Sequence, residues 1–298
     1  MEERADLVDV SVNSSWPDRT WNPIRGCSPV SEGCENCPGA RLAAYLRDLP
    51  GAKVQIYQSL ARWQRDGRAA WTGKLIVLPA MMKDPLRWRE RQRIEVCSTS
   101  DLFHEQVPDE FIRDVFAVMM LADWHTFYVF TKRVERMAQW FGSWAASQME
   151  EQAEEAGRGW PLPNVHLGFS AEGQRSLDAR CGTFFAAPAA RRLIRLQPLR
   201  GSVDLTTVEC PVGNGMECPI CEVRADTDEL REPCADGHFN ALYQGIDGVI
   251  VGCETGPTSL TRVMDPGWVA DIRDQCEHHG TYFALRDGAN ISTMDGNG

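Results

Sequence analysis

The feature that most limits how this chain can fold is an alternation. Short apolar runs rich in Val, Ile, Leu and Phe are separated by stretches with helical spacing, the pattern of βα units on a mostly parallel sheet. Strands are predicted near 20–26, 74–79, 94–98, 126–131, 165–170, 192–197, 247–252 and 281–286. Between them, Pro108-Asp109-Glu110 opens a helix carrying Phe111, Val115, Phe116 and Met119, and Pro266 opens another with Trp268, Val269 and Ile272. The economical α/β architecture is a complete or partial (β/α) TIM-like barrel. Eight strands suit the complete form, and the irregular spacing at 50–73 and 201–245 suits the partial one. Segment 145–163, rich in Glu and Gly, reads as an exposed connection, helical at its start. Polar residues follow the apolar part of the strands, where a barrel carries its chemistry: Ser98-Thr99-Ser100-Asp101, Thr131-Lys132-Arg133, Ser170-Ala171-Glu172, Gln197 and Glu254.

Composition narrows the setting. With 43% hydrophobic and 24% charged residues, the 298-residue chain has no apolar stretch approaching the roughly eighteen residues of a membrane span. The N-terminal MEERADLVDVSVNSSW is acidic and lacks the features of a secretory signal, so a cytoplasmic location is expected. In that reducing compartment eleven cysteines point to metal ligation before disulfides. The net charge of -11 argues against nucleic-acid binding through a broad basic surface. Two local runs, Arg87, Arg89, Arg91 and Arg93 around Trp88, and Arg191, Arg192, Arg195 and Arg200, are read as solvated faces or salt-bridge partners, with a phosphate track as the alternative.

The chemistry concentrates in Cys27-Ser-Pro-Val-Ser-Glu-Gly-Cys34-Glu-Asn-Cys37, which follows a short strand and precedes a helix beginning near Gly39. Three local thiolates satisfy three irons of a [4Fe-4S] cube and leave the fourth open to an exogenous ligand. Cys-x2-Cys is equally a zinc spacing, which a distant Cys or His could complete, and spacing alone leaves the two open. Gly26 and Gly33 would let the backbone approach a bulky cube, and Pro29 stiffens the loop.

The phrases TWNPIRGCSPVSEGCENC, CSTSDLFHEQVPDEFIRDVFAVM, HTFYVFTKRVERM, PNVHLGFSAEGQ, LQPLRGSVDL and DGVIVGCETGP follow one another between about residues 20 and 287. They resemble successive landmarks of a phage and bacterial family with a radical-SAM-like Cys-x6-Cys-x2-Cys motif, much of it of unknown function. The resemblance implies a radical S-adenosylmethionine (SAM) enzyme on a barrel of that type, with Cys27, Cys34 and Cys37 as ligands of a [4Fe-4S] cluster. It places Ser98, Ser100, Asp101, Thr131 and Ser170 around SAM, and Lys132, Glu172 and Glu254 at the chemistry. It implies an external electron donor, the host cytoplasm if the protein is phage-encoded, and a base in phage DNA as substrate, an isomerase or mutase rearranging an amino-acid adduct on thymine. Pro38, Gln197, Cys253 and Arg286-Asp287 depart from the family pattern and bear on substrate identity.

A second group, Cys210, Cys218, Cys221 and Cys234 with His238 after Cys234, falls in 206–245, a stretch with little apolar periodicity. It reads as a metal-binding insertion, zinc or an auxiliary iron–sulfur cluster, whose metal would supply folding energy of roughly 10–16 kcal/mol in modules of this kind. The expected plan is an extension over 1–19, a barrel over 20–205 and 246–298, and the insertion between. Cys97, Cys181 and Cys276 are read as packing residues, Cys253 as a thiol on the working face, and His104 as a core or capping histidine. The reading from a different class is a non-catalytic zinc-binding protein that interacts with nucleic acid.

Overall fold

The computed structural model describes residues 17–210, 237–257 and 259–286. In chain order come β1 (Arg19–Trp21), β2 (Ile24–Arg25), α1 (Pro38–Arg47), β3 (Ala61–Trp63), β4 (Ala69–Trp71), β5 (Ile76–Val77), β6 (Arg93–Val96), α2 (Asp109–Leu121) and β7 (Thr126–Thr131). There follow α3 (Val134–Phe141), α4 (Trp144–Glu155), β8 (Val165–Ala171), α5 (Gln174–Phe184), β9 (Arg191–Leu196), β10 (Val208–Glu209), β11 (His238–Phe239), β12 (Gly248–Val251), α6 (Pro266–His279) and β13 (Tyr282–Leu285).

Seven strands form one parallel sheet in the order β1-β6-β7-β8-β9-β12-β13. The sheet curls into a half-barrel, compatible with a partial β/α barrel. Side chains crossing its hollow register the curl. Glu95 on β6 bonds Arg195 on β9 at 2.5 Å and lies 3.7 Å from Arg286, one residue past β13. Strands spaced about 4.8 Å apart in a flat sheet would separate those positions by roughly 14 and 24 Å. The complete eight-stranded form is corrected: among the described residues β1 and β13 are the two edges. Pro23, with no N–H to give, splits the first predicted strand, and β2 turns away to pair antiparallel with β5. The predicted strand at 74–79 therefore belongs to this ribbon, where Leu78 N donates to Pro23 O at 2.7 Å.

The period of two sorts the strand residues. Phe127, Val129, Leu167, Phe169, Ile194, Leu196, Val249 and Val251 join the main core with Val115, Met119, Leu177, Phe184 and Ile272 from the helices. Tyr128, Phe130, Leu193, Ile250 and Ala284 form the concave layer. Segment 144–155 is a full helix, with Ala145, Ala146, Met149 and Ala153 buried and Ser143 Oγ accepting from Ala146 N; its glutamates are the outer face of a packed element. The flanks of the predicted insertion join the main core. Val208, Phe239, Ala241 and Leu242 are buried in the main core, and β10 pairs with β11. No helix among the described residues is long and apolar enough to cross a membrane.

A second, smaller apolar cluster joins α1 to the β3–β4 hairpin through Ala40, Ala43, Ala44, Leu60, Ala61, Ala69 and Trp71. Five arginines of the two runs are ion-paired: Arg87 with Asp84, Arg93 with Asp18, Arg191 with Asp247, Arg195 with Glu95, and Arg200 with Glu32. Arg93 and Arg191 begin their strands, so they stand at the sheet edge opposite the loops that follow strand C-termini.

Two positions on the concave face have measurable consequences. A Cβ at Gly168 would stand 2.5 Å from the Phe130 ring and 2.8 Å from the Leu193 carbonyl oxygen, and the backbone atom cannot swing aside. Gly168→Ala should cost about 1–3 kcal/mol in urea denaturation. His166 is buried edge-on to Tyr128 with ring centroids 5.0 Å apart, and its Nδ1 has no hydrogen-bond partner. Burial, seconded by Arg191 and opposed by Asp247, pulls its pKa down to about 4. The unfolded chain takes up this proton near 6.5 and the folded one near 4, so the associated stability is complete above that window and falls as pH drops through it. His166→Phe should flatten the stability profile between pH 6.5 and 4 relative to the parent, as read by denaturation at each pH.

Candidate functional site

The loop between β2 and α1 carries Cys27, Cys34 and Cys37. Gly26 has φ +91°, and a Cβ there would fall 2.1 Å from the Lys74 carbonyl oxygen; a Cβ at Gly33 would fall 2.4 Å from Glu172 Cγ. The two glycines let the loop press between the β2–β5 ribbon and the end of β8. Cys34 ends a 3-10 turn, Glu32–Cys34, and Cys37 is the N-cap of α1 with Pro38 behind it. All three thiols line one cavity of about 410 Å3 at the C-terminal edge of the sheet.

Each thiol has its own donor. Lys132 Nζ lies 3.7 Å from Cys34 Sγ, Arg133 Nη1 lies 3.8 Å from Cys27 Sγ, and the Trp71 side chain donates to Cys37. Burial pushes Cys34 up, but the Lys132 charge and hydrogen bonds from Val30 and Ser31 outweigh it and hold the thiol below its ordinary value. Burial and the nearby Asp101 push Cys27 up to about 12 against Arg133. Cys37 is also raised by burial. A charge-balancing group placed on Cys27 and Cys37 would reverse that preference, because burial penalises an uncompensated thiolate.

Asp101 organises this wall. Its Oδ1 accepts from Phe103 N at 3.0 Å and the Thr131 hydroxyl at 2.8 Å; its Oδ2 accepts from Lys132 N at 3.2 Å and Arg133 Nη1 at 3.0 Å. Four donors fill the roughly four lone-pair sites of a carboxylate. Arg133 reaches from there to the cysteine loop, donating to Ser28 O at 2.9 Å and Ser28 Oγ at 2.8 Å, while its Nε donates to Glu105. His104 is buried with Nε2 2.9 Å from Ser28 Oγ, a core histidine that braces the same loop.

The strand ends bring the other predicted residues together. Glu172 accepts from Ser31 Oγ at 2.5 Å, from Lys132 Nζ, and from Arg180 Nη1 at 3.1 Å. Burial alone would raise its carboxyl, but Lys132 and Arg180 outweigh it and hold the pKa to about 2. Glu254 is clamped by Arg262, whose backbone N, Nε and Nη2 all donate to it. Ser98 Oγ donates to Asn22 Oδ1, Ser100 Oγ donates to Ile24 O, and Ser170 Oγ accepts from Arg195 Nε. Ser98, Ser100, Asp101, Thr131, Lys132, Ser170 and Glu254 line the same cavity as the thiols, and Glu172 bonds Lys132 at its side. Pro38, Gln197, Cys253 and Arg286, four of the departures from the family pattern, also line it.

Sequence reasoning gave no role to the cations that hold these carboxylates: Arg133, named only within Thr131-Lys132-Arg133, and Arg180 and Arg262. Arg133 stood next to Lys132 in the phrase FTKR, and an Arg beside a Lys on a strand end facing three cysteines is the signal that could have found it. Cys97, Cys181 and Cys276 are buried in the main core, as packing residues should be. Of the second cysteine group, Cys218, Cys221 and Cys234 lie outside the described residues. Cys210 and Gly237 close the neck of that segment through a 2.7 Å backbone hydrogen bond, next to an exposed His238.

The donor set fits a [4Fe-4S] cluster. Among the described residues no three His, Cys, Asp or Glu side chains converge on a single metal-ion position. A cube asks for something else, one thiolate on each of three irons. Three thiols of one loop on one cavity wall, each with a separate N–H donor, meet that demand, and such donors tune cluster potential.

A family model described as "Protein of unknown function (DUF5131)" matches residues 12–294. No curated protein and no solved structure matches the chain.

The Asp101 cluster gives the expected outcome for this wall. Asp101→Asn turns a carboxylate surrounded by donors into a group that must present an N–H to some of them, and weakens the hold on Arg133. The loss should be about 3–5 kcal/mol, the range for breaking a buried ion pair, measured by denaturant unfolding.

Proposed function

We propose that this chain, which belongs to the DUF5131 family, is a radical SAM enzyme whose Cys27, Cys34 and Cys37 hold a [4Fe-4S] cluster on a partial barrel of the radical SAM type. One observation carries the reading: three thiols of a single loop line a cavity at the C-terminal ends of the strands, each beside its own donor. When bound, the cluster supplies the electron for reductive cleavage of SAM and thereby hydrogen-atom abstraction from substrate.

The chain's own residues divide the remaining work. Lys132 and Arg133 compensate thiolate charge at Cys34 and Cys27, and Trp71 does so at Cys37 through a neutral N–H. Asp101, filled by four donors, acts as a positioning residue for Arg133, not as an acceptor for SAM. Glu172 positions Lys132 and Ser31. Glu254, on the cavity wall and oriented by Arg262, is the carboxylate best placed to accept from the SAM ammonium or ribose. The substrate is a base of phage DNA bearing an adduct, rearranged by an isomerase or mutase step, with an external electron donor.

Cys34→Ala should abolish 5′-deoxyadenosine production from SAM while leaving the far-UV circular dichroism spectrum unchanged. The measurement is product chromatography after anaerobic reconstitution with iron and sulfide; undiminished production in the variant would sink the assignment.

A further inference from the structure

The small unit of α1 and the β3–β4 hairpin buries one face of α1 and leaves another bare. Ala40, Ala43 and Ala44 are packed into its apolar cluster, whereas Leu42, Tyr45 and Leu49, at i, i+3 and i+7, are 47%, 57% and 38% exposed. Exposed apolar side chains are ordinary when they occur singly; three in one helical row make a patch. Trp63, also exposed, adjoins the helix from β3, its Nε1 donating to Asp48 Oδ2 at 2.8 Å.

Charge sets this unit apart from the rest of the molecule. Residues 38–72 hold Arg41, Arg47, Lys53, Arg62, Arg65 and Arg68 against Asp48 and Asp66, in a chain whose net charge is -11. Asp48 pairs with Arg47, and Asp66 with Arg68. Among the described residues Arg41, Arg62 and Arg65 have no ion pair, and Arg62 and Arg65 are exposed. An apolar centre with a cationic rim is the anatomy of a protein interface, where arginine is favoured.

The patch stands directly behind the thiols. Cys37 is the N-cap of α1, and a rise of about 1.5 Å per residue puts Leu42 and Leu49 roughly 8 and 18 Å along the axis from it. Cys27 and Cys37 pack against the unit's apolar cluster, and Trp71 of that cluster donates to Cys37. The cavity meets the thiols on one side and this unit covers them on the other.

We propose that the outer face of α1, centred on Leu42, Tyr45 and Leu49, is the docking surface for an acidic one-electron carrier protein; the proposal rests on the radical SAM reading and states where its external electron donor binds. In the transfer the carrier loses one electron and the cluster gains it, and no bond forms or breaks. The cavity is thereby left to SAM and substrate. Opposite charge steers such a carrier to the unit, because screening confines the repulsion of the acidic remainder to about 8–10 Å at physiological salt. A second copy of the chain is a poorer occupant, since a two-fold interface would bring two patches of the same sign together. A nucleic acid would satisfy the cations but set its phosphates against leucines.

Calorimetric titration of the purified full chain, with no iron or SAM added, tests the surface with two acidic carriers, a flavodoxin and a plant-type [2Fe-2S] ferredoxin. At least one should bind, and more weakly as salt rises. Tyr45→Asp and Arg62→Glu should each weaken binding about tenfold or more, whereas Arg62→Lys, which keeps the charge, should hold the parent affinity. Both positions are exposed, and circular dichroism on each variant checks folding. After reconstitution, 5′-deoxyadenosine formation driven by the reduced carrier should fall in the same two variants. With dithionite, a small reductant that needs no docking surface, it should stay at the parent level.

Absence of carrier binding by the parent, or parent affinity in both Tyr45→Asp and Arg62→Glu, overturns the proposal. A dimeric parent that Tyr45→Asp makes monomeric in sedimentation also overturns it, because the face would then join two copies. Loss of DNA binding in these variants with carrier binding intact does the same. Carrier binding that follows the variants, without 5′-deoxyadenosine from dithionite, keeps the surface and removes the radical SAM reading. Dithionite-driven product without carrier binding does the reverse.

Discussion

One buried carboxylate determines where the cysteine loop can lie. Asp101 gathers donors from the segment after β6 and from the end of β7, and one of them, Arg133, extends to Ser28 and Cys27. Three segments far apart in sequence are thereby fixed to one another at the strand ends. The loop has few backbone hydrogen bonds of its own to do this: Cys34 N bonds Ser31 O and Glu35 N bonds Glu32 O within a short turn. Its placement is tertiary, supplied by Arg133 on one flank and by Glu172 with Lys132 on the other. Both carboxylates are nearly buried, and each is matched by more than one cation or N–H, the condition under which buried charge is tolerated.

Much of this arrangement was legible in the sequence, and the reasons are physical. Seven of the eight predicted strands contribute to the main sheet: the central ones have apolar runs that a parallel sheet buries on both faces, while edge strand β1 supplies only Trp21 to the core. The eighth, at 74–79, has the same composition but pairs with the residues after Pro23, and composition carries no information about partners. The helix at 144–155 was obscured by its glutamates; the alanines and Met149 that it buries are weak apolar signals. Polar residues at strand ends were legible as a group because the working edge of a parallel sheet is set by strand direction alone.

Roles within the group were far less legible. Asp101, Glu172 and Glu254 look alike in sequence, yet Asp101 is filled by four donors, Glu172 lies between Lys132 and Arg180, and Glu254 is held by one arginine eight residues later. Only the curl of the sheet decides such pairings, and no local pattern encodes it. The same holds for the arginine runs. Arg191 and Arg195 lie in one short stretch, yet Arg191 begins its strand beside Asp247 while Arg195 faces the hollow four residues on. A run of like charges in sequence is thus divided between two ends of the sheet, and neither end inherits the whole charge.

The small cluster of α1 and the β3–β4 hairpin has a further consequence. Cys27 and Cys37 pack against it, while Arg133 on the large core holds Cys27 from the other side. The smaller cluster is built mostly of alanines with Leu60 and Trp71, and so buries far less apolar surface than the core beneath the helices. Resistance to opening follows that surface, so this unit is the one that native-state hydrogen exchange should find opening first. In the opened form the thiols lose their apolar cover while the sheet stays closed.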